Sequence, residues 1–368
     1  MSWFKSIGVM SGTSMDGVDV AFIETDGVSA IRQGPRAFFP YSESDRAALR
    51  EALSEAASLT DRDARPGALA TAQALITGRH QTAVEDFLAG NGLTRSGVDI
   101  IGFHGQTVLH RPERRLTVQI GDGDSLAQAL RMPVAWDMRA ADVAAGGQGA
   151  PLVPVYHRAL AEAAKLDLPA AVLNIGGVAN ITFLPKQGDP IAFDTGPGNA
   201  LLDDLMLERT GTALDRDGVT AARGTVDELV LRQFLAHPYF LKPAPKSLDR
   251  NDFSRGAVAD LETADAAATL TAFTAASIAK SLDLVPQRPT KIIVCGGGAS
   301  NPTLMKMLVE RCGVDLVSAD SIGWSADAME AQAFAYLAVR ALNGLPLTFP
   351  GTTGVAQPMT GGIISRPV

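Results

Sequence analysis

The spacing of apolar and polar residues changes along the chain between two patterns. Alternation with a period of two residues, typical of strands, marks short segments, and apolar residues three or four apart, typical of helices, mark longer ones. The strand-like segments of the first half are residues 5–10, 18–24, 98–103 and 133–137, with RRLTVQI before the last of these. Helical spacing covers residues 43–58 and 68–90. Such alternation predicts an open sheet with helices packed on it, an α/β fold.

The second half repeats this order of elements. A strand, a Gly turn and a strand fill residues 170–184, as they do near the N-terminus. A long Ala-rich helix is predicted over residues 263–284, and KIIVCGGGASNPTLMKML predicts a strand, a Gly loop and a helix. The segment SADAMEAQAFAYLAVRAL predicts a closing amphipathic helix. Because both halves begin with a strand, a Gly-rich turn and a second strand, the sequence indicates an internal structural duplication.

The length of the chain agrees with two domains. A chain of 368 residues exceeds one typical domain, so we expect two domains with a ligand cleft between them. No low-complexity tract or charge run marks a linker. The turn-rich segment AADVAAGGQGAP, around residues 141–151, is the predicted hinge.

Composition and charge narrow the classes of function. Hydrophobic residues make up 46% of the chain and charged residues 20%, as in soluble globular domains. The net charge of -8 argues against a nucleic-acid or anionic-membrane partner, because such partners need clustered Lys and Arg. A phosphate ligand must therefore be held locally, by backbone amides and a metal ion.

Cysteine usage and the N-terminal segment indicate a cytoplasmic protein. Two cysteines, Cys295 and Cys312, cannot form a disulfide framework and fit a reducing compartment. The segment MSWFKSIGVM lacks the basic region and long apolar core of a signal peptide. The longest apolar stretches are interrupted before they reach membrane-spanning length.

The first candidate site is the turn SGTSMDGVD between the first two predicted strands. Glycine lets backbone N–H groups approach phosphate, neighbouring hydroxyls add donors, and carboxylates can hold the Mg²⁺ that accompanies ATP. The cofactor-binding candidates are Gly12, Thr13, Ser14, Asp16, Gly17 and Asp19. Asp16 and Asp19 are also the metal candidates, and the choice between them stays open. The alternative is an ordinary Gly-rich hairpin turn, since the segment matches neither a Walker loop nor a dinucleotide fingerprint.

The second candidate site is FDTGPGN, between a predicted strand and a predicted helix. A carboxylate at the carboxyl end of a strand faces a cleft, so Asp194 can act as a general base toward a hydroxyl or a water. The amides around Gly196 and Gly198 can meet phosphate at the start of the helix. The alternative is that Asp194 caps the helix, but the loop has more Gly and Pro than a cap needs.

A third Gly-rich segment follows the apolar strand KIIVC. Gly296, Gly297 and Gly298 let the backbone lie flat against a purine and ribose or against their phosphates. The alternative is a tight turn between strand and helix, which needs fewer glycines.

Polar residues in three further segments are candidates for contacts with substrate. Arg139 offers a fork that suits a carboxylate, and Gln148 can hydrogen-bond an amide or a hydroxyl. Alternatively, Arg139 forms a solvated ion pair with Asp142. The remaining substrate candidates are His104, Gln106, Thr107 and Asn174. Glu330 is the second catalytic candidate, beside Asp194: it interrupts an apolar helix stripe, so it should point into the cleft or pair with a base.

Together these segments resemble the anhydro-N-acetylmuramic acid kinase family of the hexokinase–actin superfamily. The resemblance is carried, in order, by GVMSGTSMDGVD, HGQT, VQIGDG, DMR, AAGGQGAPLVP, LNIGGVANIT, FDTGPGN, VCGGG and a late ME pair. These motifs span about residues 8–336. The resemblance implies two ribonuclease-H-like domains, which we expect at 1–140 with 346–368 and at 141–345. It also implies ATP and Mg²⁺ as cofactors, an amino sugar as substrate, and a place in peptidoglycan recycling.

The resemblance also assigns roles to residues. Gly12 through Asp19 match the nucleotide-phosphate loop, Asp194 matches the base that activates water, and Glu330 matches a carboxylate near the sugar. The stretch PAPKSLDRNDF departs from the family, whose members tend to read PKSTGRE before an aromatic residue. This chain keeps the Lys246–Ser247 pair of the family. Leu248 and Asp249 depart from the family pattern, which weakens the expectation that this stretch contacts the sugar.

The expected reaction is hydrolytic opening of the 1,6-anhydro ring with phosphorylation of the freed 6-oxygen. One rival is a conventional sugar kinase in which Asp194 acts on an ordinary hydroxyl. Another is an ATP-gated sugar-binding regulator or chaperone-like ATPase on the same fold. Neither a helix-turn-helix extension nor a peptide-binding domain is evident in the sequence, and a homodimer is left open.

Overall fold

The computed structural model describes residues 2–368 and divides them into two compact units. The first unit comprises the chain up to Lys165 together with Asp327–Val368, and the second comprises Leu166–Ala326. The predicted domain boundaries, after residues 140 and 345, therefore differ from the observed ones. Segments 141–165 and 327–345 belong to the first unit.

The strands of the two units are, in chain order, β1 (Phe4–Met10), β2 (Gly17–Thr25), β3 (Ile31–Pro40), β4 (Ile100–Phe103), β5 (Gln106–Arg111), β6 (Leu116–Ile120), β7 (Val134–Trp136), β8 (Ala170–Ile175), β9 (Val178–Leu184), β10 (Ile191–Pro197), β11 (Lys291–Cys295), β12 (Asp315–Ser318) and β13 (Ile363–Ser365).

The helices alternate with these strands, which confirms the predicted α/β class. They are α1 (Glu43–Ala56), α2 (Gly67–Gly90), α3 (Gly123–Leu130), α4 (Ala140–Ala144), α5 (Pro154–Ala163), α6 (Ala200–Thr210), α7 (Val219–Arg223), α8 (Glu228–Leu235), α9 (Thr263–Ser281), α10 (Pro302–Cys312), α11 (Met329–Leu342) and α12 (Pro350–Thr353). Among residues 2–368, no helix combines the length and apolar character needed to cross a membrane.

The main sheet of the first unit has the strand order β13-β7-β4-β1-β2-β3. Strands β1, β4 and β7 run parallel, and the other neighbours are antiparallel. The carboxyl ends of β1, β4 and β7 therefore lie along one edge of the sheet. Ser11, His104 and Asp137, which directly follow these strands, come together there.

The helix α11 packs on the middle of this sheet, and two glycines make the close approach feasible. A Cβ atom at Gly8 would overlap the carbonyl oxygen of Ala331, and one at Gly102 would overlap that of Phe334. Ser6 also donates a hydrogen bond through Oγ to the carbonyl of Ala335, at 2.8 Å. These contacts explain why the C-terminal helix belongs to the first unit.

The predicted hinge at residues 141–151 is wrong, because this segment is fixed inside the first unit. Asp142 is buried and accepts hydrogen bonds from the backbone N–H of Gly149, at 2.6 Å, and from the hydroxyl of Thr353, at 2.7 Å. The hydroxyl of Thr348 donates to the same carboxylate. A buried carboxylate with several donors stabilises one loop conformation.

The main sheet of the second unit has the order β10-β9-β8-β11-β12. Strands β8, β11 and β12 are parallel, and β9 and β10 are antiparallel to their neighbours. This is the arrangement of β3-β2-β1-β4-β7 in the first unit, so the predicted internal duplication is confirmed. The two-unit α/β fold is of the actin and hexokinase type, and the cleft expected between the units stays a prediction.

The sheets differ from the sequence expectations in the strands they contain and in the extent of β10. β3 was not predicted, because its IRQGPRAFFP sequence contains Gly and Pro and its residues are mostly exposed. The shorter strands β5, β12 and β13 were not predicted either. β10 continues through Asp194 to Pro197, with a bulge between Asp194 and Gly196, where a loop was expected after Phe193. A bulge redirects side chains within a strand.

Candidate active site

Hydrogen bonds to buried side chains fix the start of the loop between β1 and β2. Ser11 donates through Oγ to Oε1 of Gln106 at 2.5 Å and accepts a hydrogen bond from the hydroxyl of Tyr41 at 2.9 Å. Gln106 also donates through Nε2 to the carbonyl of Gly12, at 3.0 Å. Both ends of the Gln106 amide are therefore bonded to the loop, and the contacts of this predicted substrate residue fix the loop backbone.

The tip of this loop is open. Thr13, Ser14 and Asp16 are exposed, and a Cβ atom built at Gly12 would meet nothing nearer than Oγ of Ser14, at 3.5 Å. Gly17 differs, because it is buried in β2 and a side chain there would overlap the backbone of the neighbouring strand. Gly12 thus leaves space that a ligand can use, whereas the structure gives Gly17 a role in strand packing.

Carboxylates gather beside this loop. Burial raises the pKa of Asp19 to about 6, and the negative charges of Asp16, Glu330 and Asp327 add to the effect. The structure therefore places Asp19 within the electrostatic reach of both Asp16 and Glu330. Among residues 2–368, no group of three or more His, Cys, Asp and Glu side chains is arranged to hold a metal ion. The predicted metal site rests on Asp16 and Asp19 and stays a prediction.

His104 and Arg139 are linked at the carboxyl edge of the first sheet. The Nδ1 atom of His104 lies 3.1 Å from the carbonyl of Ser11 and 2.9 Å from that of Gly105, so Nδ1 carries the proton. Arg139 donates through Nη2 to Nε2 of His104, at 3.2 Å. Burial, aided by the Arg139 charge, lowers the pKa of His104 to about 3. His104 is therefore neutral at physiological pH and suits positioning more than proton transfer.

Arg139 remains a cation in this environment. Its Nη1 donates to the carbonyl of Gly149 at 2.9 Å. Burial lowers the pKa of Arg139 to about 10, while Glu330 and Asp142 oppose the shift. The alternative of a solvated ion pair with Asp142 is wrong, because that carboxylate is buried among the donors of its own loop.

Glu330 and the other substrate candidates of the first unit occupy different environments. Glu330 keeps solvent access in the first turn of α11, although burial around its carboxyl raises its pKa against the effect of Arg139. Thr107 is half-buried in β5. Gln148 is exposed and donates its backbone N–H to the carbonyl of Thr353, at 2.7 Å.

Asp194 lies within β10 in the second unit. Its position is not that of a helix cap, since α6 begins six residues later with Asn199 before it. Burial raises the pKa of Asp194 to about 6, and a hydrogen bond from the backbone N–H of Leu248 opposes the shift. Asp194 is half-buried, and a carboxylate with a raised pKa of about 6 is suited to general-base chemistry.

A segment far along the chain holds Asp194. The N–H of Leu248 donates to Oδ2 of Asp194 at 2.8 Å, and the N–H of Asp194 donates to the carbonyl of Lys246 at 2.9 Å. The hydroxyl of Tyr239 donates to the carbonyl of Asp194, at 2.6 Å. Sequence reasoning missed Tyr239 and discounted Leu248. The kept Lys246–Ser247 pair was the one available signal that this segment mattered.

The two glycines after Asp194 allow close packing. Gly196 has a φ of +155°, and a Cβ atom there would lie 2.7 Å from Oγ of Ser277 in α9. A Cβ atom at Gly198 would overlap the carbonyl of Gly176, and the N–H of Gly198 donates to the carbonyl of Gly177 at 2.9 Å. These glycines bring the start of α6 against the turn between β8 and β9.

The third glycine segment lies at the same edge of the second sheet. Gly296 has a φ of +78° and lies against Asn174, whose Oδ1 a Cβ atom at Gly296 would overlap. Gly297 is exposed, with Nδ2 of Asn199 at 3.7 Å from an added Cβ, and Gly298 is buried against Ile175. Asn174 and the three glycines are therefore brought together beside the start of α6.

This duplicated α/β fold, with open Gly loops at the carboxyl edges of its sheets, is that of the sugar kinases of the hexokinase and actin type. A family model described as anhydro-N-acetylmuramic acid kinase matches residues 4–367. The chain belongs to this family and is an ATP-dependent sugar kinase.

Known proteins with similar sequences carry the same description. An anhydro-N-acetylmuramic acid kinase of Nitrobacter winogradskyi is 58% identical over 363 residues, which cover 98% of this chain and 99% of the relative. One of Rhodopseudomonas palustris is also 58% identical, with the same coverage. Among solved structures, component A of (R)-2-hydroxyglutaryl-CoA dehydratase from Acidaminococcus fermentans is 10% identical, with a TM-score of 0.47, covering 92% of this chain and 98% of that one.

Proposed function

We propose that this kinase adds water to the 1,6-anhydro bond of anhydro-N-acetylmuramic acid and transfers the γ-phosphoryl group of ATP to the freed 6-oxygen. The products are N-acetylmuramic acid 6-phosphate and ADP, and the setting is peptidoglycan recycling in the cytoplasm. The observation that carries the proposal is Asp194, a half-buried carboxylate that is held by main-chain contacts and whose pKa is raised to about 6.

The bond changes balance with one water. In the anhydro sugar the 6-oxygen is bonded to the anomeric carbon and has no proton to give up. Asp194 takes a proton from water, the water oxygen bonds to the anomeric carbon, and the bond from that carbon to the 6-oxygen breaks. The 6-oxygen then accepts the phosphoryl group, while the bond between the γ-phosphorus and ADP breaks.

The loop between β1 and β2 is proposed to bind the phosphates of ATP. Its tip is exposed, and Gly12 leaves room for close approach of a phosphate to the backbone. Asp16 and Asp19 are two carboxylates of the kind that hold Mg²⁺ through oxygen ligands or through bound water. When bound, the metal ion would neutralise charge on the transferring phosphoryl group.

Arg139 is proposed to bind the carboxylate of the sugar's lactyl group. Two of its donors are used by His104 and Gly149, and these contacts set the plane of the guanidinium. The remaining N–H donors are available to a planar anion. Glu330, in the same charged neighbourhood, is proposed to accept a hydrogen bond from the sugar.

Labelled water separates this function from a conventional sugar kinase. In ¹⁸O water, coupled hydrolysis and phosphorylation should place the label on the anomeric carbon and none in the phosphate ester, if the product is read before its anomeric oxygen exchanges. The configuration at that carbon should be inverted, because a single attack by water inverts it. A conventional kinase would phosphorylate an existing hydroxyl, keep the ring closed and incorporate no label.

A further inference from the structure

A closed set of hydrogen bonds surrounds Asp194. We call residues 239–248 the strap. The strap contacts Asp194 at three points: Tyr239 at its carbonyl, Lys246 at its N–H and Leu248 at its carboxylate. Buried Lys246 also connects two of these contact residues to each other: its Nζ donates to the carbonyl of Tyr239 at 3.1 Å and lies 4.3 Å from the centre of the Tyr239 ring.

The three contacts do different things. Those to the N–H and carbonyl of Asp194 fix its main chain, which sets where the side chain begins. The Leu248 contact at 2.8 Å acts on the carboxylate itself. An amide N–H can donate to the ionised carboxylate, so it favours the charged form over the neutral one.

The charged groups around Asp194 do not replace this donor. Burial lowers the pKa of Lys246 to about 8, with Lys242 and Lys280 adding to the shift, and its ammonium is directed at Tyr239. The pKa of Tyr239 is raised by burial and then by the charges of Asp194 and Asp252. The Leu248 N–H is therefore the group that opposes the rise in the pKa of Asp194 caused by desolvation.

We propose that the strap is a positioning device for the reaction, and that the backbone N–H of Leu248 keeps Asp194 ionised and aimed as the base. The inference rests on the proposed function of Asp194. Because the contact is made by the main chain, it does not depend on the side chain at position 248. This explains how Leu248 can stand where relatives tend to have Thr, while Lys246, whose side chain bonds to Tyr239, is the same as in those relatives.

Removing one N–H tests the inference. Leucic acid placed at position 248 replaces the amide by an ester, and Leu248→Pro removes the same donor by substitution. Leu248→Met is the matched control, because it keeps the N–H and the side-chain volume that packs on the helical core. The dependence of kcat/KM on pH, with ATP and the anhydro sugar, is measured for each.

Loss of the donor should move the acid limb of the pH profile toward higher pH by about one to two units, because an N–H donated to the carboxylate favours its ionised form. The Met variant should keep the wild-type limb. A uniform loss of rate at every pH, with the limb unmoved in both the ester and the Pro variant, would overturn the inference.

The failure of this inference differs from failure of the proposed function. Asp19 also has a pKa of about 6, but it lies in the first unit and has no part in the strap. If a change at Leu248 shifts the acid limb of the kcat/KM profile, that limb therefore reports the ionisation of Asp194. If Asp194→Asn kept normal turnover, the proposed base would be wrong; if that variant were inactive while the ester left the limb in place, only the role of the strap would be wrong.

Discussion

Arg139 donates a hydrogen bond to His104 across 3.2 Å, and the bond fixes the tautomer of the histidine. The imidazole presents its lone pair to the guanidinium and its proton to the carbonyls of Ser11 and Gly105. His104 thereby ties the phosphate-loop candidate to the arginine proposed to bind the sugar. It does so without carrying charge, since its pKa is about 3.

Replacing Arg139 by Lys should weaken sugar binding without changing the pH profile. A lysine cannot hold His104 and Gly149 while presenting a planar fork, so kcat/KM should fall roughly ten- to hundredfold, mainly through KM. Steady-state kinetics across pH measure both effects. If the acid limb moved by a unit in Arg139→Lys, His104 would have to titrate in the working range, and its assigned neutral state would be wrong.

Asp194→Asn should lower kcat by roughly 10²–10⁴-fold, because Asn cannot take a proton from water. Nucleotide binding should persist, as measured by calorimetry. The variant should also be at least as stable as the wild type at pH 7. Because the pKa of Asp194 is raised by folding, its carboxyl group contributes stability to the folded state below its unfolded pKa, and this contribution is lost as the pH rises through about 6. Asn does not ionise, so the variant does not lose stability in this pH range.

The control for this variant is Asp204→Asn. Asp204 is a surface carboxylate of the same unit, paired with Arg250 at 2.7 Å, and its loss should change activity and stability little. For the wild type, kcat/KM should rise with pH through about 6 as Asp194 ionises. A rate that is flat between pH 5 and about 7 would contradict the role of Asp194 as base.

Gly12→Val should abolish tight ATP binding while leaving the fold intact. A Cβ atom at Gly12 meets nothing nearer than 3.5 Å, so the branched side chain projects into the space proposed for phosphate. Calorimetry and thermal unfolding separate the two effects. Gly17→Ala is the contrasting variant: its Cβ atom would overlap Phe39, so stability should fall. Unchanged nucleotide binding in Gly12→Val would make the loop a simple turn.

Gly8→Ala and Gly102→Ala should each destabilise the first unit by about 2–4 kcal/mol, because the added methyl group overlaps the backbone of α11. Urea unfolding measures the change. Gly78→Ala in α2 is the matched control, since that glycine is exposed in a helix with nothing within 4 Å of a new Cβ atom. It should be neutral or stabilise by about 0.5–1 kcal/mol. Equal stability of all three variants would mean that α11 does not pack closely on β1 and β4.

The sequence predicted the repeated order of strands and helices because each strand–turn–strand unit has its own local signature. The domain boundaries could not be predicted in the same way. An Ala-rich amphipathic helix such as α11 fits many sheets, and its fit to Gly8 and Gly102 exists only in three dimensions. For this reason the helix was assigned to the wrong half of the chain.

The candidate site shows the same limit. Asp194 was found from the Gly and Pro residues that follow it, which are a local signal. Its partners Tyr239 and Leu248 lie 45 and 54 residues away. Leu248 acts through a backbone N–H, which every residue except proline possesses, so no residue type marks that role.

The division of the first unit into two chain segments has a consequence for biosynthesis. The sheet made by the first 165 residues emerges from the ribosome long before α11, whose backbone fills the grooves at Gly8 and Gly102. The second unit, continuous from Leu166 to Ala326, can fold in the interval, since domains generally fold as units during synthesis. Until α11 has been made, the face of β1 and β4 that this helix covers is exposed in the nascent first unit, and exposed apolar surface of this kind is prone to aggregation. Because Glu330 arrives with the same helix, it can join Asp19 and Arg139 only after the second unit has been synthesised.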